Sequence, residues 1–262
     1  EFRRVLFRSV NGDNDLLGEI HCSKFKLLKV GIVDKFDIFA SNIICGEDNV
    51  IFDLNKKNGE KFESVILKLP GIHNVSNFLL ALQCGFIYGM RFEDMVRGLD
   101  ALETTSMRLE ITKASEITII NDSYNASPDS MKAAINVLKN IKCSRRIAVF
   151  GSMLELGENS YKEHSAIANY ARLNSVDILI AIGEFSTAYE EGFIKEDNMD
   201  NAENCPHIYC SFESNEKAAE YLEEILKKGD AVLVKASRGK HFETIVTLLK
   251  NRYLNEEAKP FI

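Results

Sequence analysis

Arg108, Lys235 and Arg238 are cations of the kind that meet an anion. A guanidinium is a rigid planar fork suited to phosphate or carboxylate, whereas an ammonium is a compact point charge. Arg108 follows Met107 just after a polar break. On position alone a surface salt bridge is the preferred reading. Lys235 and Arg238 stand in Lys235–Lys240 (KASRGK), directly after an apolar run. That segment is not a phosphate loop of the G-x-x-x-x-G-K-[ST] type. Val234 stands where its first glycine should be, and His241 where its Ser or Thr should be.

Other polar segments carry candidates. Asn121–Pro128 (NDSYNASP) offers Asp122 as an acceptor for ribose hydroxyls, and Tyr124 and Asn125 as polar tips on a loop. Turns rich in Asp, Ser, Asn and Pro are also common for purely structural reasons. Gly71–Asn77 (GIHNVSN) places His73, Asn74 and Asn77 three and four residues apart, so they can share one face of a helix. An amide both donates and accepts and can read an adenine edge; on this segment alone, helix capping by Asn74 is the preferred reading. Gly151–Gly157 (GSMLELG) is not G-x-G-x-x-G, so a dinucleotide fingerprint is absent. His164 and His207 have no partner nearby in sequence and read as core or surface histidines.

Regular elements must hold these residues. Phe36–Ile44, Val50–Leu54 and Ser64–Leu69 read as short strands, with Asn58-Gly59 as a hairpin turn. Val75, Phe78, Leu79, Leu82 and Phe86 form an amphipathic stripe, predicting a helix over 74–88, and a second helix covers 92–102. After a break at 103–106 the pattern alternates strand and helix. Strands are expected at 117–121, 147–150, 178–182, 208–210 and 231–234, and helices at 128–141, 160–173, 186–192, 215–226 and 241–249. Continuous apolar strands joined by helices predict an α/β, mostly parallel, Rossmann-like sheet. Ligands of such sheets sit beyond the carboxyl ends of the strands, which is where Asp122, Gly151, Gly183 and Lys235 fall.

Composition narrows the function classes. The 262 residues are 45% hydrophobic with a net charge of −7, so a broad nucleic-acid surface is not expected. No apolar run is long enough to span a membrane, and a cytoplasmic location is expected. The six cysteines (Cys22, Cys45, Cys84, Cys143, Cys205 and Cys210) include no C-x-x-C pair and are expected to be reduced and buried. Glu1–Ser9 (EFRRVLFRS) shows no strand or helix period and is expected to be non-native and outside the fold.

From about Val10 onward the chain resembles the Mur ligase family. Val10–Leu17 (VNGDNDLL) looks like the strand ending the family's central ATPase core, and Gly71–Asn77 like its G-x-H-N-x-x-N element. Met107-Arg108 is similar to its M-R element. Asp122–Asp129 (DSYNASPD), Gly151–Glu158 (GSMLELGE) and Lys235–Arg238 (KASR) look like the D-S-Y-N-A-N-P, G-D-M-x-E-L-G-E and K-G-S-R elements of the branch that adds D-alanyl-D-alanine. Ser127, Ser152 and Ala236 stand where that branch has Asn, Asp and Gly.

The resemblance implies residues 10–104 as part of a central ATP-binding domain and 105–262 as the C-terminal ligase domain. It implies ATP and Mg²⁺ as cofactors, with the metal ligands, the G-K-[ST] loop and a UDP-binding domain upstream of Val10. The implied substrates are a UDP-N-acetylmuramoyl-tripeptide and D-alanyl-D-alanine. His73, Asn74 and Asn77 would face adenine, Arg108 the ATP phosphates and Asp122 the ribose. Arg108 and Lys235 are the implied catalytic residues, and Tyr124, Asn125 and Arg238 would meet the incoming substrates. A different ligase of the superfamily, acting on another muramoyl peptide or on folate, and a non-catalytic nucleotide-binding module are the alternatives. Because no G-K-[ST] loop occurs in these 262 residues, the purified chain alone is expected to show no ATP-dependent ligation; product formation above background in a coupled phosphate-release assay would contradict that.

Overall fold

The computed structural model describes residues 7–100, 106–194 and 207–255. Cys205, residues 1–6 and residues 103–105 of the polar break lie outside the described residues. The chain divides into two compact units, Glu1–Glu103 and Thr104–Ile262.

The first unit is a five-stranded sheet with helices packed on it. Its strands β1 (Phe7–Asn11), β2 (Lys26–Gly31), β3 (Ile38–Cys45), β4 (Val50–Lys56) and β5 (Lys61–Leu67) lie side by side in chain order. The first three run parallel and the last three antiparallel. Gly59, at φ 90°, closes the β4–β5 hairpin, a conformation that costs glycine nothing sterically. The helix α2 (Ile72–Ile87) buries Val75, Phe78, Leu79 and Leu82 against Val30, Ile38, Phe52 and Leu54, and α3 (Phe92–Asp100) follows it. Two expectations are corrected here. Phe7–Ser9 belong to the fold, because they pair in register with Lys26–Leu28. Val10–Leu17 is not one strand: β1 stops at Asn11, and Asn14 caps a short helix α1 (Asp15–Gly18) by accepting from the Leu16 and Leu17 N–H groups.

The second unit is a sheet between two helical layers. Its elements are β6 (Glu110–Ala114), β7 (Ile117–Asn121), α4 (Pro128–Asn140), β8 (Arg146–Phe150), α5 (Ser160–Leu173), β9 (Ile178–Ile182), α6 (Ser186–Phe193), β10 (Ile208–Phe212), α7 (Asn215–Ile225), β11 (Ala231–Lys235) and α8 (Glu243–Asn255). The strand order is β10-β9-β8-β11-β7-β6, all parallel except β6 against β7. Alternate residues of each central strand point to opposite faces. Ile120, Ala148, Phe150 and Leu233 pack under α4, α5 and α6, while Ile119, Val149, Val232 and Val234 pack under α7 and α8. Both faces are covered, which is why these strands read as unbroken apolar runs. The edge strand β6 (EITKA) escaped the sequence reading because its charged residues hide the period; edge strands tolerate such residues.

The described cysteines are free, but none is fully buried: Cys22, Cys45, Cys143 and Cys210 are half-buried and Cys84 is exposed. The expectation of buried thiols fails because apolar neighbours in sequence need not share a side chain's face.

Gly192 sets how closely α5 and α6 approach. A Cβ there would lie 2.0 Å from the Ser165 carbonyl oxygen, a backbone atom that cannot swing aside. Gly192→Ala is therefore expected to destabilise the protein by about 1–3 kcal/mol, as overpacking does. Urea denaturation checks this, and an unchanged midpoint would contradict the packing described.

Candidate anion-binding site at the carboxyl edge of the larger sheet

The site is built where β7 and β11 end side by side. Their ladder runs to Val234 opposite Asn121, and the Asp122 N–H then donates to the Val234 carbonyl at 3.0 Å. Register thus sets the loop after β7 beside Lys235.

Lys235 is almost fully buried, and its Nζ donates to Asp122 Oδ2 at 2.5 Å and to the Asn125 carbonyl at 2.8 Å. Asp122, 8% exposed, also accepts the Leu109 N–H on Oδ1 at 3.1 Å. Both carboxylate oxygens are thereby engaged. Burial pushes the Asp122 carboxyl up from its ordinary value and the Lys235 ammonium down, each opposed by the other's charge. Each oxygen already accepts one bond, so a ribose contact of the kind implied for Asp122 would use one of its remaining lone pairs.

Arg108 is framed by strained backbone. Met107 has φ 63° and Leu109 φ 47°, a left-handed region that side-chain-bearing residues seldom enter. The surrounding bonds hold it: the Tyr124 N–H donates to the Met107 carbonyl at 3.0 Å, and Asp122 takes the Leu109 N–H. The exposed Arg108 guanidinium sits 4.3 Å from the Tyr124 ring centroid, and that of Arg238 sits 5.0 Å from it. Both lie within cation–π range. Among the described residues neither forms an ion pair with a carboxylate. Two exposed guanidiniums beside one aromatic ring present N–H donors of the kind that bind an anion such as a phosphate.

Residues beyond the sequence candidates complete the edge. Ser237 Oγ accepts the Leu154 N–H at 3.0 Å and donates to the Ala126 carbonyl at 3.4 Å, joining the loops after β7, β8 and β11. Ser152 donates to Glu184, which also pairs with Lys240. Ser127 caps α4 through a reciprocal bond with Ser130, so its hydroxyl serves the helix. Ala236 is fully buried, where a small side chain fits. His164, read from the sequence as a core or surface histidine, is a core histidine. Its Nδ1–H donates to the Ser160 carbonyl at 2.6 Å, and its Nε2 accepts the Met153 N–H at 2.8 Å, which holds the loop after β8. The only sequence sign of this was its position on an apolar helix stripe.

The structure brings Arg108, Asp122, Tyr124, Asn125, Lys235 and Arg238 together in the second unit. His73, Asn74 and Asn77 lie in the first turns of α2 in the other unit. Asn74 is inside that helix and not its cap, since its Nδ2 donates to the Pro70 carbonyl at 2.7 Å and Gly71 occupies the cap position. Asn77 Nδ2 reaches Asn74 Oδ1 at 3.4 Å.

Fold and site define an α/β domain that gathers cationic and polar side chains beyond the carboxyl ends of a parallel sheet. Residues 107–238 match the family model described as Mur ligase, glutamate ligase domain, and the chain belongs to the Mur ligase family. It is 30% identical over 237 residues to the UDP-N-acetylmuramoyl-tripeptide–D-alanyl-D-alanine ligase of Bacillus subtilis, covering 90% of this chain and 49% of that protein. A D-alanyl-D-alanyl ligase structure from Acinetobacter baumannii superposes with TM-score 0.76 at 26% identity, covering 93% of this chain and 51% of that one. The MurF ligase of Thermotoga maritima in complex with ADP shares the fold, with TM-score 0.75 at 23% identity over 96% of this chain and 54% of that one. The chain spans about half the length of the curated relatives it matches.

The His164 pair of bonds needs the neutral ring, and burial holds its pKa below the ordinary histidine value. The unfolded chain then takes up a proton near pH 6.5 that the folded chain refuses until a lower pH. This contribution to stability is present above about pH 6.5 and declines as pH falls below it. Thermal melts between pH 8 and 5 should show a smaller loss for His164→Gln than for the unaltered protein; parallel curves would contradict the assignment.

Proposed function

We propose that this chain is part of an ATP-dependent ligase that joins D-alanyl-D-alanine to a UDP-N-acetylmuramoyl-tripeptide in cytoplasmic peptidoglycan precursor synthesis. The observation that carries the reading is the Arg108–Tyr124–Arg238 stack, which offers two exposed guanidiniums beside a polar loop. The activities for which the relatives are named suggest the substrates, and the ADP complex of the Thermotoga maritima relative supports a nucleotide.

In this reading residues 10–104 are the part of a central ATP-binding domain that holds His73, Asn74 and Asn77 toward adenine, and residues 105–262 are the ligase domain. Arg108 contacts phosphate oxygens and stabilises the charge that builds as the phosphoryl group moves to the tripeptide carboxylate. The D-alanyl-D-alanine amine then attacks the acyl carbon, phosphate leaves with the bonding electrons, and the new amide nitrogen sheds a proton. Tyr124, Asn125 and Arg238 face the incoming substrates. Among the described residues no three His, Cys, Asp or Glu side chains are grouped to hold a metal ion.

In a ligase containing this chain, Arg108→Ala should cost about 2.7–4 kcal/mol of transition-state stabilisation, roughly a hundred- to thousandfold in rate. Arg108→Lys keeps the charge without the fork and should recover only part of it. The Arg108 side chain is exposed, so stability should change by no more than about 1 kcal/mol. Steady-state kinetics with melting curves test this; near-normal turnover in Arg108→Ala would remove the residue from the site.

A further inference from the structure

We propose that Lys235 is a positioning residue: its buried ammonium holds the loop after β7 in the shape that stacks Arg108 and Arg238 on Tyr124, without itself touching the bound anion. The inference deepens the anion-site reading above and rests on it. Three observations carry it. First, the Lys235 side chain is only 2% exposed, and two of its donors are already committed, to Asp122 and to the Asn125 carbonyl. A side chain so enclosed, with these two bonds kept, faces the loop, while the two guanidiniums lie exposed beside the ring.

Second, the two acceptors bracket Tyr124 in sequence, so one ammonium fixes the loop on both sides of the ring. Third, the same bonds extend to Arg108. Asp122 takes the Leu109 N–H and Tyr124 donates to the Met107 carbonyl, so both left-handed residues flanking Arg108 are tied to the clamped loop. Arg238 follows Lys235 by three residues on the segment leaving β11. One buried cation therefore stands where the supports of both guanidiniums and of the ring meet.

A purely structural lysine would affect melting and leave the stack alone, so the test reads the stack. In the 262-residue chain, nitrogen-15 NMR of the arginine Nε–Hε groups should show the Arg108 and Arg238 signals shifted upfield by the Tyr124 ring, an effect that Tyr124→Leu abolishes. Lys235→Met should move both signals most of the way toward the Tyr124→Leu positions. It should also weaken binding of inorganic tripolyphosphate, measured by calorimetry, by about tenfold, with both arginines still present. Should the single variant fail to fold, the pair Asp122→Asn with Lys235→Met removes both buried charges and gives the same readout. A folded variant that keeps both ring-shifted signals and the original tripolyphosphate affinity would overturn the proposal. If the unaltered chain does not bind tripolyphosphate, the anion-site reading fails, and the ring-current shifts alone decide the role of Lys235.

Discussion

An ammonium and a carboxylate taken out of water together hold the carboxyl edge of the larger sheet in shape. Either charge alone in that position would be costly, by several kcal/mol even after relaxation. Lys235 and Asp122 avoid this by meeting each other, with a second ammonium donor going to the Asn125 carbonyl and the second carboxylate oxygen accepting the Leu109 N–H. Such a pair adds little net stability over two well-packed apolar residues. What it adds is direction, because ionic hydrogen bonds fix a loop that apolar contacts would leave free to slide.

That pair depends in turn on the sheet. Parallel strands covered on both faces expose polar backbone only at their ends, so chemistry collects at the edge and not on a face. The β7–β11 register sets the loop after Asn121 against Lys235, and Ser237 extends the joining to the loop after β8. At the opposite, amino-terminal edge the buried Asp230 is held by Arg145 and accepts the Lys227 N–H. Asp230 and Asp122 are both buried aspartates paired with a cation, but it is the cluster around Asp122 that adjoins two guanidiniums lying over one aromatic ring.

The backbone around Arg108 shows the cost of presenting it. Left-handed Met107 and Leu109 are each unfavourable by about 1–3 kcal/mol. Their carbonyl and N–H groups are nevertheless satisfied by the neighbouring loop. Strain tolerated in this way beside an exposed guanidinium on an aromatic ring fits a residue placed for a ligand.

The sequence by itself determined the α/β class, the order of strands and helices from β7 onward in the second unit, and the segments at which polar residues would emerge. These follow from local periodicity, from apolar runs buried on both faces, and from turn residues such as Pro128 and Gly59. The same local evidence marked Arg108, Asp122, Tyr124, Asn125, Lys235 and Arg238 one at a time. It missed β6, whose charges mask its alternation, and it misread Phe7–Ser9, whose strand exists only by pairing with β2. Tertiary structure alone decided that Lys235 is enclosed while Arg238, three residues later, is exposed, and that both guanidiniums share one tyrosine. It also decided that His164 serves a loop eleven residues away. The physical reason is that burial and partnership between residues 113 apart are set by strand register and close packing, and neither leaves a periodic trace in the chain.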